Sequence, residues 1–293
     1  MFRVKVPATT ANLGPGFDSL GLAFKLYSYF TFKKSDKPLI ITGCEEKYQN
    51  ENNLVYYSFK KTFEYMNLPL MNVEINIESS VPVCRGLGSS ATCIVGGVLG
   101  ASILSGKNLP MEEIFKICNS IEGHPDNIAP ALFGGLTVSL VENDIPYTVK
   151  YNISKDLNFY VFIPEFELST EKARNVLPKE ISFKDGIYNI SRTGVLLKAL
   201  ELGDEKLIKI SLSDKLHQQY RLPLIDESSE IIKICNSNNV LGTVISGAGP
   251  TLLGITKNSN LINEIFSQVK LLNNNWKIKK LDVDFSGTII EYL

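Results

Sequence analysis

Histidine is almost missing from this sequence. There are two, His124 and His217, among 293 residues, and neither has a second histidine near it in the chain with which to hold zinc. An excess of either charge is missing as well. Thirty basic side chains stand against 31 acidic ones, a formal net charge of −1, which leaves no bulk basic field for nucleic acid or an anionic membrane. The five cysteines, at 44, 84, 93, 118 and 235, contain no Cys-x-x-Cys pair and are odd in number. No disulfide framework or zinc site is therefore expected, and Cys84 and Cys93 read as small packing residues. No apolar run approaches the roughly 18 residues of a membrane span. No signal peptide precedes Met1-Phe-Arg-Val-Lys-Val, which alternates like a first strand. A soluble, cytoplasmic protein is expected, with a small molecule or another protein as partner, not nucleic acid and not a membrane.

What is there is a run of small residues and hydroxyls at a loop-to-helix transition: Pro82, Val83, Cys84, Arg85, Gly86, Leu87, Gly88, Ser89, Ser90 and Ala91. Gly86 and Gly88 let backbone N–H groups approach an anion, and Ser89 and Ser90 are placed to cap a helix whose positive N-terminal end favours it. The run lacks the lysine after Gly88 that a Walker A loop requires, and the only Gly-Lys pair, Gly106-Lys107, has Ala101 where the first glycine belongs. Gly86-x-Gly88-x-x-Ala91 satisfies the dinucleotide-binding pattern, but the strand expected before it, Val73 to Glu78, ends too early for a tight strand-to-helix turn. The alternative is a glycine-rich turn that caps a buried helix. Nor is there a Gly-x-Ser-x-Gly elbow, so Ser89, His124 and Asp126 do not read as a hydrolase triad.

Period-2 alternation and β-branched or aromatic content predict strands at Phe2 to Val6, Tyr27 to Phe32, Leu39 to Thr42 and Val73 to Glu78. Helical spacing predicts Leu54 to Met66 and Thr92 to Ser105, the latter a buried central helix because Gly96, Gly97 and Gly100 are tolerable only where a neighbouring backbone packs close. Met111 to Ile121 is a short helix delivering Glu122. The polar stretch from Val141 to Asn158 reads as the divide between residues 1–152 and 153–293. The second half alternates strands at 159–163, 241–245, 251–256, 277–285 and 288–292 with helices within 170–176, 185–202, 205–211 and 227–236 and one after 256. Two α+β domains with mostly antiparallel sheets are expected.

Three further blocks accompany the glycine-serine loop: Pro7 to Gly21, reading Pro-Ala-Thr-Thr-Ala-Asn-Leu-Gly-Pro-Gly-Phe-Asp-Ser-Leu-Gly; Glu122 to Ala131, with His-Pro-Asp-Asn at its centre; and Ser246-Gly-Ala-Gly-Pro-Thr-Leu-Leu253. Together these resemble the signature blocks of the GHMP small-molecule kinases, and the first is similar to that of the homoserine-phosphorylating branch rather than the mevalonate or galactose branches. The resemblance runs from Val4 to about Gly254. It implies a ribosomal-protein-S5-like N-terminal domain and a ferredoxin-like C-terminal domain, with ATP and Mg2+ meeting the acceptor between them. It further implies phosphorylation of the L-homoserine side-chain hydroxyl for threonine biosynthesis, and a homodimer is compatible with it.

By the same resemblance, residues 82–91 bind ATP, and Ser90 and Glu122 hold the metal. Arg174 and Arg221 grip the acceptor carboxylate, Asn12 and Asp18 hold its amino end, and His124 lines its pocket. Asn127 and Thr170 flank the transferring phosphoryl group. Asp126 is either the proton acceptor or an anchor for backbone N–H groups, with positioning favoured over base catalysis. A GHMP kinase for another hydroxylated metabolite, or a silent ligand sensor on the same fold, remains the alternative reading.

Overall fold

The computed structural model describes residues 1–293. A seven-stranded sheet and a four-stranded sheet share the interior of the molecule. In the first sheet, strands β1 (Phe2–Ala11), β2 (Leu20–Lys34), β3 (Leu39–Thr42) and β4 (Val73–Ser79) run in the order β1-β2-β4-β3, and all but the β3–β4 pair are antiparallel. Strands β1 and β2 extend well past the predicted segments because Ala8 to Ala11 and Leu20 to Phe24 are buried on both faces, so no alternation marks them. Helices α1 (Leu54–Tyr65), α2 (Ser89–Leu104), α3 (Met111–Glu122) and α4 (Pro125–Phe133) cover this sheet. The glycines of α2 do what their positions suggested. A methyl group on Gly96 or Gly100 would run into the rings of Phe30 and Phe32, and on Gly97 into the Val55 carbonyl.

The stretch 141–158 is not an irregular linker throughout. Strands β5 (Leu136–Glu142) and β6 (Ile145–Tyr151) form a hairpin there, closed by Asn143 and Asp144, both left-handed as a tight two-residue turn requires. The hairpin is hard to read from sequence because β6 is an edge strand that carries Pro146 and turns Tyr147 and Val149 outward, so its apolar side does not mark a core.

The second sheet consists of β7 (Asn158–Ile163), β8 (Gly242–Ile245), β9 (Leu252–Thr256) and β10 (Lys277–Leu281), in the antiparallel order β10-β7-β9-β8. Helices α9 (Ser228–Ser237) and α10 (Leu261–Val269) pack on one face. On the other face, α6 (Phe183–Leu202) and α7 (Glu205–Ser211) share a core with residues of the first sheet, among them Ala8, Leu20, Leu22 and Phe24. The short helices α5 (Thr170–Asn175) and α8 (Gln218–Arg221) lie between these elements. The chain end crosses back: β11 (Ile289–Tyr292) pairs with β1 in the first sheet, and Tyr27 donates to Asp284 Oδ2 at 2.7 Å. No helix is long and apolar enough to cross a membrane.

Candidate active site

A cavity of about 370 Å³ opens where the glycine-serine loop, the start of α4, the loop after β1 and the 246–250 turn converge. Gly86 and Gly88 both have φ near +70°, and neither can carry a side chain: a methyl on Gly86 would strike the carbonyl oxygens of Ser246 and Gly249, and one on Gly88 the Thr9 hydroxyl. The 246–250 turn is thus the backing of the glycine-serine loop. Ser246 Oγ donates to Gly86 O at 2.6 Å and lies 2.8 Å from Thr10 Oγ1, from which it accepts, and Gly247 N–H bonds Ala11 O.

The capping role expected of Ser89 and Ser90 is corrected. Gly88 is the N-cap and no side chain closes it, while both serines are the first residues of α2 itself. The uncapped end leaves its N–H groups to whatever anion enters the cavity. Of the ten loop residues, Val83, Cys84, Arg85, Gly86, Gly88, Ser89 and Ser90 line the cavity. Pro82 does not, and Leu87 and Ala91 turn into the core, fully buried, as helical and turn periodicity demands of every third or fourth residue. Cys84 is not a packing residue: it is exposed, left-handed at φ 52°, and faces the cavity. Cys93 lies in the wall, where burial pushes its thiol up to about 12. Arg85 reaches away to Pro164 O at 3.1 Å and Glu167 at 3.3 Å, tying the loop to the second sheet.

Glu122, the last residue of α3, accepts a hydrogen bond from Ser90 Oγ at 2.7 Å. Burial raises its pKa against the lowering effect of that hydrogen bond and of His124. A carboxylate short of compensation beside a hydroxyl is a hard-oxygen pair suited to magnesium, and the two residues fit that ion. His124 Nδ1 pairs with Asp126 Oδ1 at 2.8 Å. Burial alone would lower the His124 pKa, but the Asp126 hydrogen bond and the charges of Asp126, Glu122 and Asp18 outweigh it, so the pKa is raised. Asp126 is 2% exposed and anchors no backbone N–H, contrary to one of its two expected roles; its partners are His124 and, at 3.5 Å, the Asn127 amide. Asn127 Oδ1 accepts from Thr9 Oγ1 at 2.8 Å.

The residues expected to grip an acceptor divide into two kinds. Arg221 and Asn12 are held by the scaffold. Arg221 is fully buried, donating through Nε to Ala173 O at 3.0 Å and through Nη1 to Gly247 O at 3.3 Å. Asn12 donates to Gly247 O at 2.8 Å and accepts from the Asp18 N–H at 3.0 Å. Burial and the neighbouring Arg174 lower the Arg221 pKa. Arg174 and Asp18 are held only by each other, in a two-bond pair of 3.1 and 2.9 Å. Phe17 joins the set unforeseen: its ring stacks on the buried His217 at 5.1 Å and lies 5.0 Å from the Arg221 guanidinium and 5.8 Å from that of Arg174. Aromatic faces accept cations without consuming their N–H donors. Thr170, at the start of α5, lines the cavity, as do Leu168, Tyr48 and Leu54, which sequence reasoning missed because nothing in their local pattern sets them apart.

The model of the GHMP kinases N terminal domain matches residues 53–135, and that of the GHMP kinases C terminal matches 196–274. A homoserine kinase of Clostridium botulinum is 44% identical over 292 residues, covering 99% of this chain and 98% of that one. A homoserine kinase of Clostridium beijerinckii is 42% identical, covering 99% of both chains. The crystal structure of a homoserine kinase from Cytophaga hutchinsonii superposes with a TM-score of 0.87 at 27% identity, over 99% of this chain and 96% of that one.

Proposed function

The chain belongs to the GHMP kinases and, within them, to the homoserine kinases, and from that premise we infer how its own residues transfer the γ-phosphoryl group of ATP to the homoserine side-chain hydroxyl. The observation that carries the assignment of roles is one cavity holding an uncapped helix start, an aspartate and two arginines. An amino acid is the acceptor that needs all three: it brings a carboxylate, an ammonium group and a hydroxyl to be phosphorylated.

The triphosphate lies against the N-terminus of α2, where Gly86 and Gly88 bring the backbone close. Ser90 and Glu122 would hold magnesium, which when bound would neutralise charge on the phosphates. Arg221 offers its remaining Nη2 to the acceptor carboxylate, joined by Arg174, while Asp18 takes the ammonium. Planar guanidinium suits a carboxylate because its donors are parallel. Asn127, oriented by Thr9, and Thr170 flank the transferring phosphoryl group. Asp126 already spends an oxygen on His124, so its work is to orient that ring, and the hydroxyl proton passes to an oxygen of the transferred phosphoryl group as the acceptor O–P bond forms and the bond to ADP breaks.

The test is ADP release with homoserine, serine, threonine and mevalonate as acceptors. Homoserine should be used at least tenfold more efficiently than mevalonate, roughly 1.4 kcal/mol of discrimination. Equal use of the two would assign the site to another hydroxylated metabolite, and no turnover with any of them would point to a ligand sensor.

A further inference from the structure

We propose that the Asp18–Arg174 ion pair is an internal stand-in for the zwitterionic substrate, and that the site selects amino acids by exchanging it. The inference rests on the acceptor reading above and goes further, because it assigns a function to the bond between two residues and not only to each alone. The pair is bidentate, at 3.1 and 2.9 Å, and stands in the cavity wall with both side chains about one-third exposed. Neither partner's side chain has another hydrogen bond in the protein, whereas Arg221 and Asn12 are each fixed to backbone groups. A ligand carboxylate that takes both terminal nitrogens of Arg174 must therefore displace Asp18.

The cost of that displacement depends on the ligand's other end. A zwitterion returns an ammonium to Asp18, so one salt bridge becomes two. A ligand with a carboxylate alone strips Asp18 of its two-bond partner and leaves it facing the Asp126 carboxylate, with the His124 ring shared between them, atoms of the three lying within 4.8 Å of one another. A ligand with an amine alone leaves Arg174 unpaired beside Arg221. Breaking one partner out of a partly desolvated charge pair is unfavourable, so the internal bond penalises both half-ligands while leaving the zwitterion unpenalised. This is selection by what a wrong ligand would orphan.

The experiment measures binding by calorimetry, with the full chain, of homoserine, of γ-hydroxybutyrate, which lacks the amino group, and of aminopropanol, which lacks the carboxylate. Asp18→Asn preserves shape, and asparagine readily adopts the left-handed φ of 55° found there. This variant should bind homoserine more weakly but γ-hydroxybutyrate about threefold or more tightly than wild type, the range a partly exposed pair supports. Arg174→Gln should gain affinity for aminopropanol in the same way and serves if the first variant does not fold. If Asp18 only receives the ammonium, γ-hydroxybutyrate will bind wild type and Asp18→Asn alike, and that result overturns the exchange. A wild-type chain that neither binds nor phosphorylates homoserine instead overturns the acceptor reading beneath it.

Discussion

Glu122 sits where a carboxylate is least at home, at the C-terminal end of α3 and half-buried, with one hydroxyl as its hydrogen-bond partner. If it holds magnesium, Glu122→Gln should lower kcat by about 10²-fold, on the order of 3 kcal/mol, and steepen the magnesium requirement. Its melting temperature should be unchanged or slightly raised, because a half-buried negative charge at the C-terminal end of a helix is gone. A magnesium titration beside a thermal melt separates the two effects. The histidines offer a second test, since folding shifts their pKa values in opposite directions. His124 is raised above its ordinary 6.5, so its contribution to stability is full below that value and is lost as pH rises through the folded-state pKa. His217 is lowered by burial, with Nε2 on Gly14 O at 2.9 Å and Nδ1 unpartnered, so its contribution is present above 6.5 and lost as pH falls towards the folded-state pKa. The stability gap between wild type and His124→Gln should widen in acid. His217→Gln should blunt the acid-side loss of stability, whatever it does to stability at neutral pH. Denaturant melts across this range check both signs.

Among the helices, α2 and α6 make a matched pair, because each holds a glycine in its interior for a different reason. Gly97 is buried, and a methyl group there meets the backbone carbonyl of Val55 on α1, which cannot rotate away. Gly97→Ala should cost about 1–3 kcal/mol, or more if α1 cannot shift, by overpacking. Gly194 faces open space on α6. Gly194→Ala should stabilise by about 0.4–1 kcal/mol, since alanine restricts the unfolded chain and suits a helix. Chemical denaturation of the two variants should show opposite displacements of the midpoint from the same chemical change. The glycine spacing in α2 was legible in the sequence as a sign of close packing; which atoms it packs against was not, because Phe30, Phe32 and Val55 come from elements far along the chain.

The two sheets are joined by more than a linker. We place the domain boundary at residues 152 and 153, where the chain leaves the first sheet, yet β11 returns to that sheet and pairs Ile289–Tyr292 with Phe2–Lys5 of β1. Ala8, Leu20, Leu22 and Phe24 also share a core with Phe159 and Leu200 from the second half. Residues 1–152 alone should therefore lack a cooperative melt, having lost an edge strand, the Tyr27–Asp284 bond and the cover over that shared core. Circular dichroism of the fragment against the full chain tests this, and a sharp transition in the fragment would show that the first half folds by itself.

Local chemistry was enough to single out the glycine-serine loop, since glycines at 86 and 88 before paired serines mark a tight turn into a helix, and the fold puts that turn in the cavity wall. It was also enough for most strands and helices, wherever one face is buried and the other is wet. The sequence did not reveal β6, whose apolar side faces solvent, or the inner halves of β1 and β2, buried on both faces. The serines' roles depended on where α2 begins, a matter of one residue set by Gly88 meeting Thr9. Only the folded chain decided that Asp18 and Arg174, 156 residues apart, pair with each other, and that Phe17 stands beside both arginines. Residue type determines what a side chain can bind, but which partner it meets is fixed by packing between distant segments, and no local pattern carries that information.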